Sequence, residues 1–114
     1  MNLRKIDLSE LDRISKLLIE QCPDRDPEEA REHTEWHLKG FPEFCLVGEE
    51  EGKIIGFILS HLHENDLEIE ELYAVKGRED TWKPLINKVL NRIPKVDTVT
   101  IDMDNFKELI NQLK

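Results

Sequence analysis

The sequence predicts an α/β fold, a single domain over residues 1–114 built on a mixed β-sheet, and three observations carry that prediction. Between residues 44 and 75 three runs rich in Ile, Leu, Val and Phe follow one another across the short polar turns 50–52 and 63–66, and turns that short join antiparallel strands. Apolar residues at helical spacing flank this block on both sides. The last run of the block is followed by a helix pattern and a further strand pattern, a unit that normally closes as a right-handed parallel crossover. A chain of 114 residues buries enough surface for a core without disulfides or a structural metal.

Each element has its own signal. Residues 3–6 make a short strand. Ser9 is placed to cap a helix, with Asp12 three residues later as the return half of a capping box. Leu11, Ile14, Leu17, Leu18 and Cys22 form its apolar stripe, and Pro23 ends it. Asp26-Pro27-Glu28-Glu29 starts a second helix with an N-cap and a proline at the first helical position. It runs to about residue 38 and is stopped by Gly40. With only Ala30, Trp36 and Leu38 apolar, it is expected to lie over an edge of the core. Strands 44–47 and 53–62 pair as a hairpin. In strand 67–75, Leu67 and Ile69 share one parity, Leu72 and Ala74 the other, and Glu70 and Glu71 lie between. A one-residue slip is the trace of a β-bulge; a strand end buried on both faces leaves the same pattern. Helix 81–93 buries Leu85, Ile86, Val89, Leu90 and Ile93, accepts Pro84 in its first turn and is closed by Pro94. Strand 96–101 and a helix over 105–113 complete the order β-α-α-β-β-β-α-β-α.

Charge narrows the function. Sixteen Lys and Arg against 25 Asp and Glu give −9, which argues against sequence-independent binding of nucleic acid or of an anionic membrane. No apolar run reaches the roughly 20 residues that span a bilayer, the polar N-terminus has no signal-peptide core, and Cys22 and Cys45 are expected as reduced thiols of a cytoplasmic protein. The charge is uneven. Residues 1–75 hold 8 basic and 19 acidic side chains, residues 76–95 hold 6 and 2, and residues 96–114 hold 2 and 4. Lys76, Arg78, Lys83, Lys88, Arg92 and Lys95 thus form one basic island in an acidic chain. Such an island attracts a small phosphorylated ligand or is the solvated face of a helix.

His33 and His37 stand four apart on one helix face, and His61 and His63 share a strand face. Metal binding needs a third ligand that the spacing does not single out, and Glu35 is one place late for a His-Glu-x-x-His motif. The histidines are therefore expected on the surface, with no metal.

The element order, together with Gly52-Lys53-Ile54-Ile55-Gly56-Phe57-Ile58 and Glu70-Glu71-Leu72-Tyr73-Ala74-Val75, resembles the GNAT family of N-acyltransferases. The second phrase is similar to the end of that family's fourth strand, where a bulge is characteristic. The resemblance implies transfer of an acetyl group from acetyl-CoA to a small-molecule or protein amine, a cationic one given the acidic surface. It implies that Leu72, Ala74, Val75, Arg78, Trp82 and Lys83 contact acetyl-CoA, and that Glu70 or Glu71 takes the amine's proton. The sequence departs from the family where glycines normally open the next helix to a pyrophosphate: Arg78 is followed by Glu79-Asp80-Thr81-Trp82-Lys83-Pro84. The family also continues with two more strands and often a tyrosine acid, so a GNAT-like sheet without its last strands is expected here. Those departures imply an alternative: a catalytically inactive GNAT-like module that binds or regulates, as a homodimer.

Overall fold

The structure is a computed structural model that describes residues 1–101. Its elements are β1 (Asn2–Lys5), α1 (Leu11–Gln21), α2 (Pro27–Gly40), β2 (Cys45–Glu50), β3 (Lys53–His63), β4 (Asp66–Ala74), α3 (Trp82–Leu90) and β5 (Thr98–Ile101). The order is the one the sequence predicts; the helix expected over 105–113 lies outside the described residues. The strands form one sheet in the order β1-β2-β3-β4-β5. Neighbours are antiparallel except β4 and β5, which are parallel across the α3 crossover.

Strand alternation divides the core between the two faces of the sheet. Val47, Phe57, Leu59 and Tyr73 pack with Leu11, Ile14 and Leu18 of α1 and Leu38 of α2. Leu46, Ile58, Leu67, Ile69 and Leu72 pack with Trp82, Leu85, Ile86 and Val89 of α3. Leu67, Ile69 and Leu72 reach the same face despite their opposite parity because β4 contains a bulge. Leu59 pairs with Glu71 and Ser60 with Ile69, leaving Glu70 as the extra residue. The bulge, rather than burial on both faces, accounts for the slip in the alternation. A second bulge, at Ile55 between the pairs Gly48–Gly56 and Glu49–Ile54, is hidden in the sequence because Ile54-Ile55 is apolar at both parities.

Local chemistry corrects several boundaries. The cap of the first helical segment is Asp7, not Ser9: its carboxylate accepts from the Ser9 amide at 2.9 Å, and Glu10 returns to the Asp7 amide at 2.9 Å. Asp7-x-x-Glu10 closes the box because the N3 residue is a glutamate that reaches back to the N-cap amide. A 3₁₀ turn over Leu8–Glu10 then leads into α1. The cap at Asp26 and Pro27 falls where the sequence places it. Gly40 remains helical and Pro42 follows, so proline rather than glycine ends α2. Helix α3 stops at Leu90, and the Arg92 and Ile93 amides tighten to i−3 carbonyls ahead of Pro94. Between β2 and β3 both turn residues have positive φ, Glu51 at 52° and Gly52 at 76°, the mirror-image turn that matches strand twist. Both cysteines are free; Cys45 is buried, and burial pushes its thiol up to about 12.

Gly56 marks a close approach. A Cβ there would collide with Thr81 Oγ1 and stand 3.0 Å from the Tyr73 carbonyl oxygen, so its absence lets the 3₁₀ turn Glu79–Thr81 lie directly on β3. Gly56→Ala is expected to cost roughly 1–3 kcal/mol, the range of overpacked cores. In urea unfolding, Thr81→Ala in the same chain should recover part of that loss, and additive effects would contradict the contact.

Candidate functional site

Among the described residues the crossover pairs β4 over only half of its outer side. Strand β5 pairs with Asp66, Leu67, Glu68 and Ile69 and with nothing further along β4. From Glu70 to Ala74, β4 is a sheet edge among the described residues. The C-terminal end of α1 reaches this edge, where Gln21 Nε2 donates to the Leu72 carbonyl at 3.3 Å. Beside it lies a cavity of about 430 Å³ lined by Glu20, Gln21, Tyr73, Ala74, Val75, Lys76, Glu79 and Trp82.

The residues expected to contact a phosphorylated cofactor divide between this cavity and other places. Ala74, Val75 and Trp82 line it. Trp82 is otherwise core, 2% exposed, and its Nε1 has no hydrogen-bond partner among the described residues. The Leu72 side chain is buried against α3, and only its carbonyl faces the edge. Lys83 is exposed and lies outside the cavity lining. Arg78 is held by the Glu50 carboxylate at 2.8 and 3.1 Å and by Asp80 at 3.1 Å. Elsewhere in the basic island, Arg92 pairs with Glu43 and Lys95 with Asp97. Lys76 is the island's one contribution to the cavity wall.

Sequence reasoning missed Glu20, Gln21 and Tyr73. No motif marks the first two. Tyr73 stacks on Phe57 at 4.9 Å and 13°, and burial, aided by the Glu20 charge, raises its pKa.

Next to the cavity's strand, on the α1/α2 face, the bulge presents two consecutive carboxylates. Glu71 is held by Arg25, whose Nη1 lies 2.9 Å from each carboxylate oxygen; burial nevertheless dominates and raises the Glu71 pKa. Glu70 stands 3.4 Å from His37 Nε2, 3.4 Å from His33 Nε2 and 2.8 Å from His61 Nδ1. His61 Nε2 contacts Glu68. The expectation of surface histidines fails for His37, which is 0% exposed. The inward positions of α2 are Ala30, Thr34, His37 and Leu38, while Trp36 is 50% exposed. Helical phase, set by Ala30, Thr34 and Leu38, overrides the hydropathy of the two rings. His37 Nδ1 donates to the Ser60 carbonyl at 3.2 Å, since that oxygen can only accept. Burial, reinforced by the charges of His33 and His61, lowers the His37 pKa to about 4, so the ring is neutral at pH 7. Trp36 and Phe41 box the imidazoles, with ring centroids 5.1 and 5.2 Å from His61.

An antiparallel meander, a bulged fourth strand and a parallel crossover onto the first half of that strand define an acyltransferase-type α/β fold. The sequence model of the acetyltransferase (GNAT) family matches residues 11–78, and the chain belongs to that family. No curated protein matches the sequence. Among solved structures it is similar to the ribosomal-protein-alanine N-acetyltransferase of Brucella melitensis biovar Abortus, at 16% identity and a TM-score of 0.71 over 99% of this chain and 87% of that one. An aminoglycoside N-acetyltransferase in complex with coenzyme A gives 12% identity and a TM-score of 0.71, covering 98% and 82%. The diaminobutyrate acetyltransferase of Paenibacillus lautus, in complex with L-2,4-diaminobutyric acid and coenzyme A, gives 19% and 0.61; the match covers 79% of this chain and 56% of that one. At these identities the likeness is one of fold. No helix among the described residues is long and apolar enough to cross a membrane.

Removing the Arg25 guanidinium leaves Glu71 buried without its cation. Arg25→Gln is expected to cost about 1–3 kcal/mol in urea unfolding. The double variant Arg25→Gln with Glu71→Gln should recover most of it; an equal loss in the double variant would show that the pair contributes nothing specific.

Proposed function

We propose that the chain is an acetyl-CoA-dependent N-acetyltransferase acting on a cationic amine. One observation carries this reading: among the described residues the outer edge of β4 is unpaired from Glu70 to Ala74, beside a cavity of about 430 Å³, and the same stretch displays two carboxylates. An exposed strand edge offers amides to an acyl arm and to the thioester oxygen. The amine nitrogen attacks the thioester carbonyl carbon, the C–N bond forms as the C–S bond breaks, and the thiolate leaves. The amine's proton passes to a carboxylate of the bulge. Glu71 suits that role because burial raises its pKa; Glu70 is its neighbour on the same face. The abundance of acidic side chains favours a cationic acceptor.

The residues present fit the two ends of the cosubstrate unequally. The acyl arm has an apolar wall in Tyr73, Ala74, Val75 and Trp82. The phosphate end meets Lys76, but also Glu20 and Glu79, while Arg78 is committed to Glu50 and Asp80. That arrangement favours a second reading, a GNAT-fold module that binds without catalysis, as a monomer or homodimer.

Calorimetric titration with acetyl-CoA separates the two. The enzyme reading expects saturable binding, weakened several-fold by Lys76→Glu and strengthened by Glu79→Gln. It also expects acetyl transfer to polyamines or basic peptides to fall by roughly 10²–10⁴-fold when the base is replaced, as in Glu71→Gln. Absence of binding would leave the module reading; binding with transfer untouched by Glu71→Gln and Glu70→Gln would remove the bulge from the chemistry.

A further inference from the structure

We propose that His33, His37 and Glu70 form a binding site for a divalent transition-metal ion, zinc by the character of its donors, with a fourth coordination position left open. The three side chains each offer one ligand atom, and those atoms lie within 4.8 Å of one another. The contacts at the core of the site are long for hydrogen bonds and close to the spacing of donors that share an ion. His33 Nε2 and His37 Nε2 each stand 3.4 Å from a Glu70 oxygen. Hydrogen bonds of this type centre near 2.9 Å, whereas two ligands held tetrahedrally at about 2.0–2.1 Å from one zinc stand about 3.3 Å apart.

A second, independent observation points to a ligand. His37 is fully buried, and its Nε2 has no hydrogen-bond partner among the described residues. The opposite nitrogen donates to the Ser60 carbonyl, which fixes the tautomer so that Nε2 carries a bare lone pair 3.4 Å from Glu70. This backbone-anchored arrangement is the one found behind metal-bound imidazoles. His61 extends it: its Nδ1 lies 2.8 Å from Glu70, buried and without hydrogen-bond geometry, while its other nitrogen contacts Glu68. His61 thus packs directly against the Glu70 carboxylate. Two imidazoles and one carboxylate suit zinc better than calcium or magnesium, which take oxygen ligands. Three protein ligands are the pattern of sites that accept water or a substrate group in the fourth place. The metal would occupy Glu70, while Glu71, 3.5 Å from His33 Nε2, stays with Arg25. The site requires nothing of the cavity beside β4, so it stands apart from acetyl-CoA binding.

The test is titration of the metal-stripped full chain with Zn²⁺ by calorimetry and with Co²⁺ by visible absorption. The expected result is one ion per chain, the intense visible bands of four-coordinate cobalt, their displacement by Zn²⁺, and a melting temperature raised by Zn²⁺. His33→Gln and Glu70→Gln lie on partly exposed side chains and should fold. Each is expected to weaken Zn²⁺ binding by more than about 100-fold, and His61→Gln by about 10–100-fold as an outer partner does. No stoichiometric ion on the wild-type chain, or a bound ion whose affinity is the same in His33→Gln and Glu70→Gln, would overturn the assignment.

Discussion

One extra residue in β4 organises the working half of this molecule. Below Glu70 the strand sends Leu67 and Ile69 toward α3; above it, with the parity reversed, Leu72 goes to the same side. Without the extra residue a strand of this sequence could not keep all three in one core, because each one-residue slip exchanges the faces. With it, Glu70 and Glu71 emerge together on the α1/α2 face, where the strand would otherwise have sent one of them into the α3 core. The bulge therefore satisfies burial on one face and concentrates charge on the other.

The consequences spread along both neighbours of β4. The carboxylates are costly to bury alone, and each has drawn in a partner from a distant part of the chain: Arg25 at Glu71, and the His33, His37 and His61 rings at Glu70. Above the bulge the strand edge is free of β5, and the chain turns through Gly77, at φ 85°, into the 3₁₀ turn that rests on Gly56. The cavity is what remains between that turn, the end of α1 and the unpaired edge. A family fold that ordinarily meets a pyrophosphate at this corner here presents Glu79 and Asp80, with Arg78 neutralised by Glu50. Half of the island's basic side chains, Arg78, Arg92 and Lys95, are thus paired with carboxylates of the chain itself.

Much of this was legible before the structure. The parity fault at Glu70–Glu71 is a local signal, and local signals survive in sequence; so are the Asp26-Pro27 cap and the short hairpin turns. The Ile55 bulge left no such trace, since apolar residues at both parities look alike. What sequence could not supply was partnership across the chain. The third ligand for the His33–His37 pair is separated from it by two strands, and only the hairpin and the packing of α2 on β3 bring them together. For the basic island the sequence supplies the count of charges, whereas the pairing of Arg78 to Glu50 and of Arg92 to Glu43 depends on tertiary contact. Trp36 and His37 exchanged their expected places for a similar reason: the helix is phased by its neighbours, and hydropathy of one residue does not set it.

The placement of Glu70 and Glu71 rests on the register of β3 against β4. Nuclear magnetic resonance of the full chain measures it directly through cross-strand contacts between backbone protons. The expected pattern links Leu59 with Glu71 and Ser60 with Ile69, with Glu70 lacking an opposite residue on β3. Contacts linking Ser60 with Glu70 in an uninterrupted ladder would contradict it, and with it the placement of both glutamates on one face.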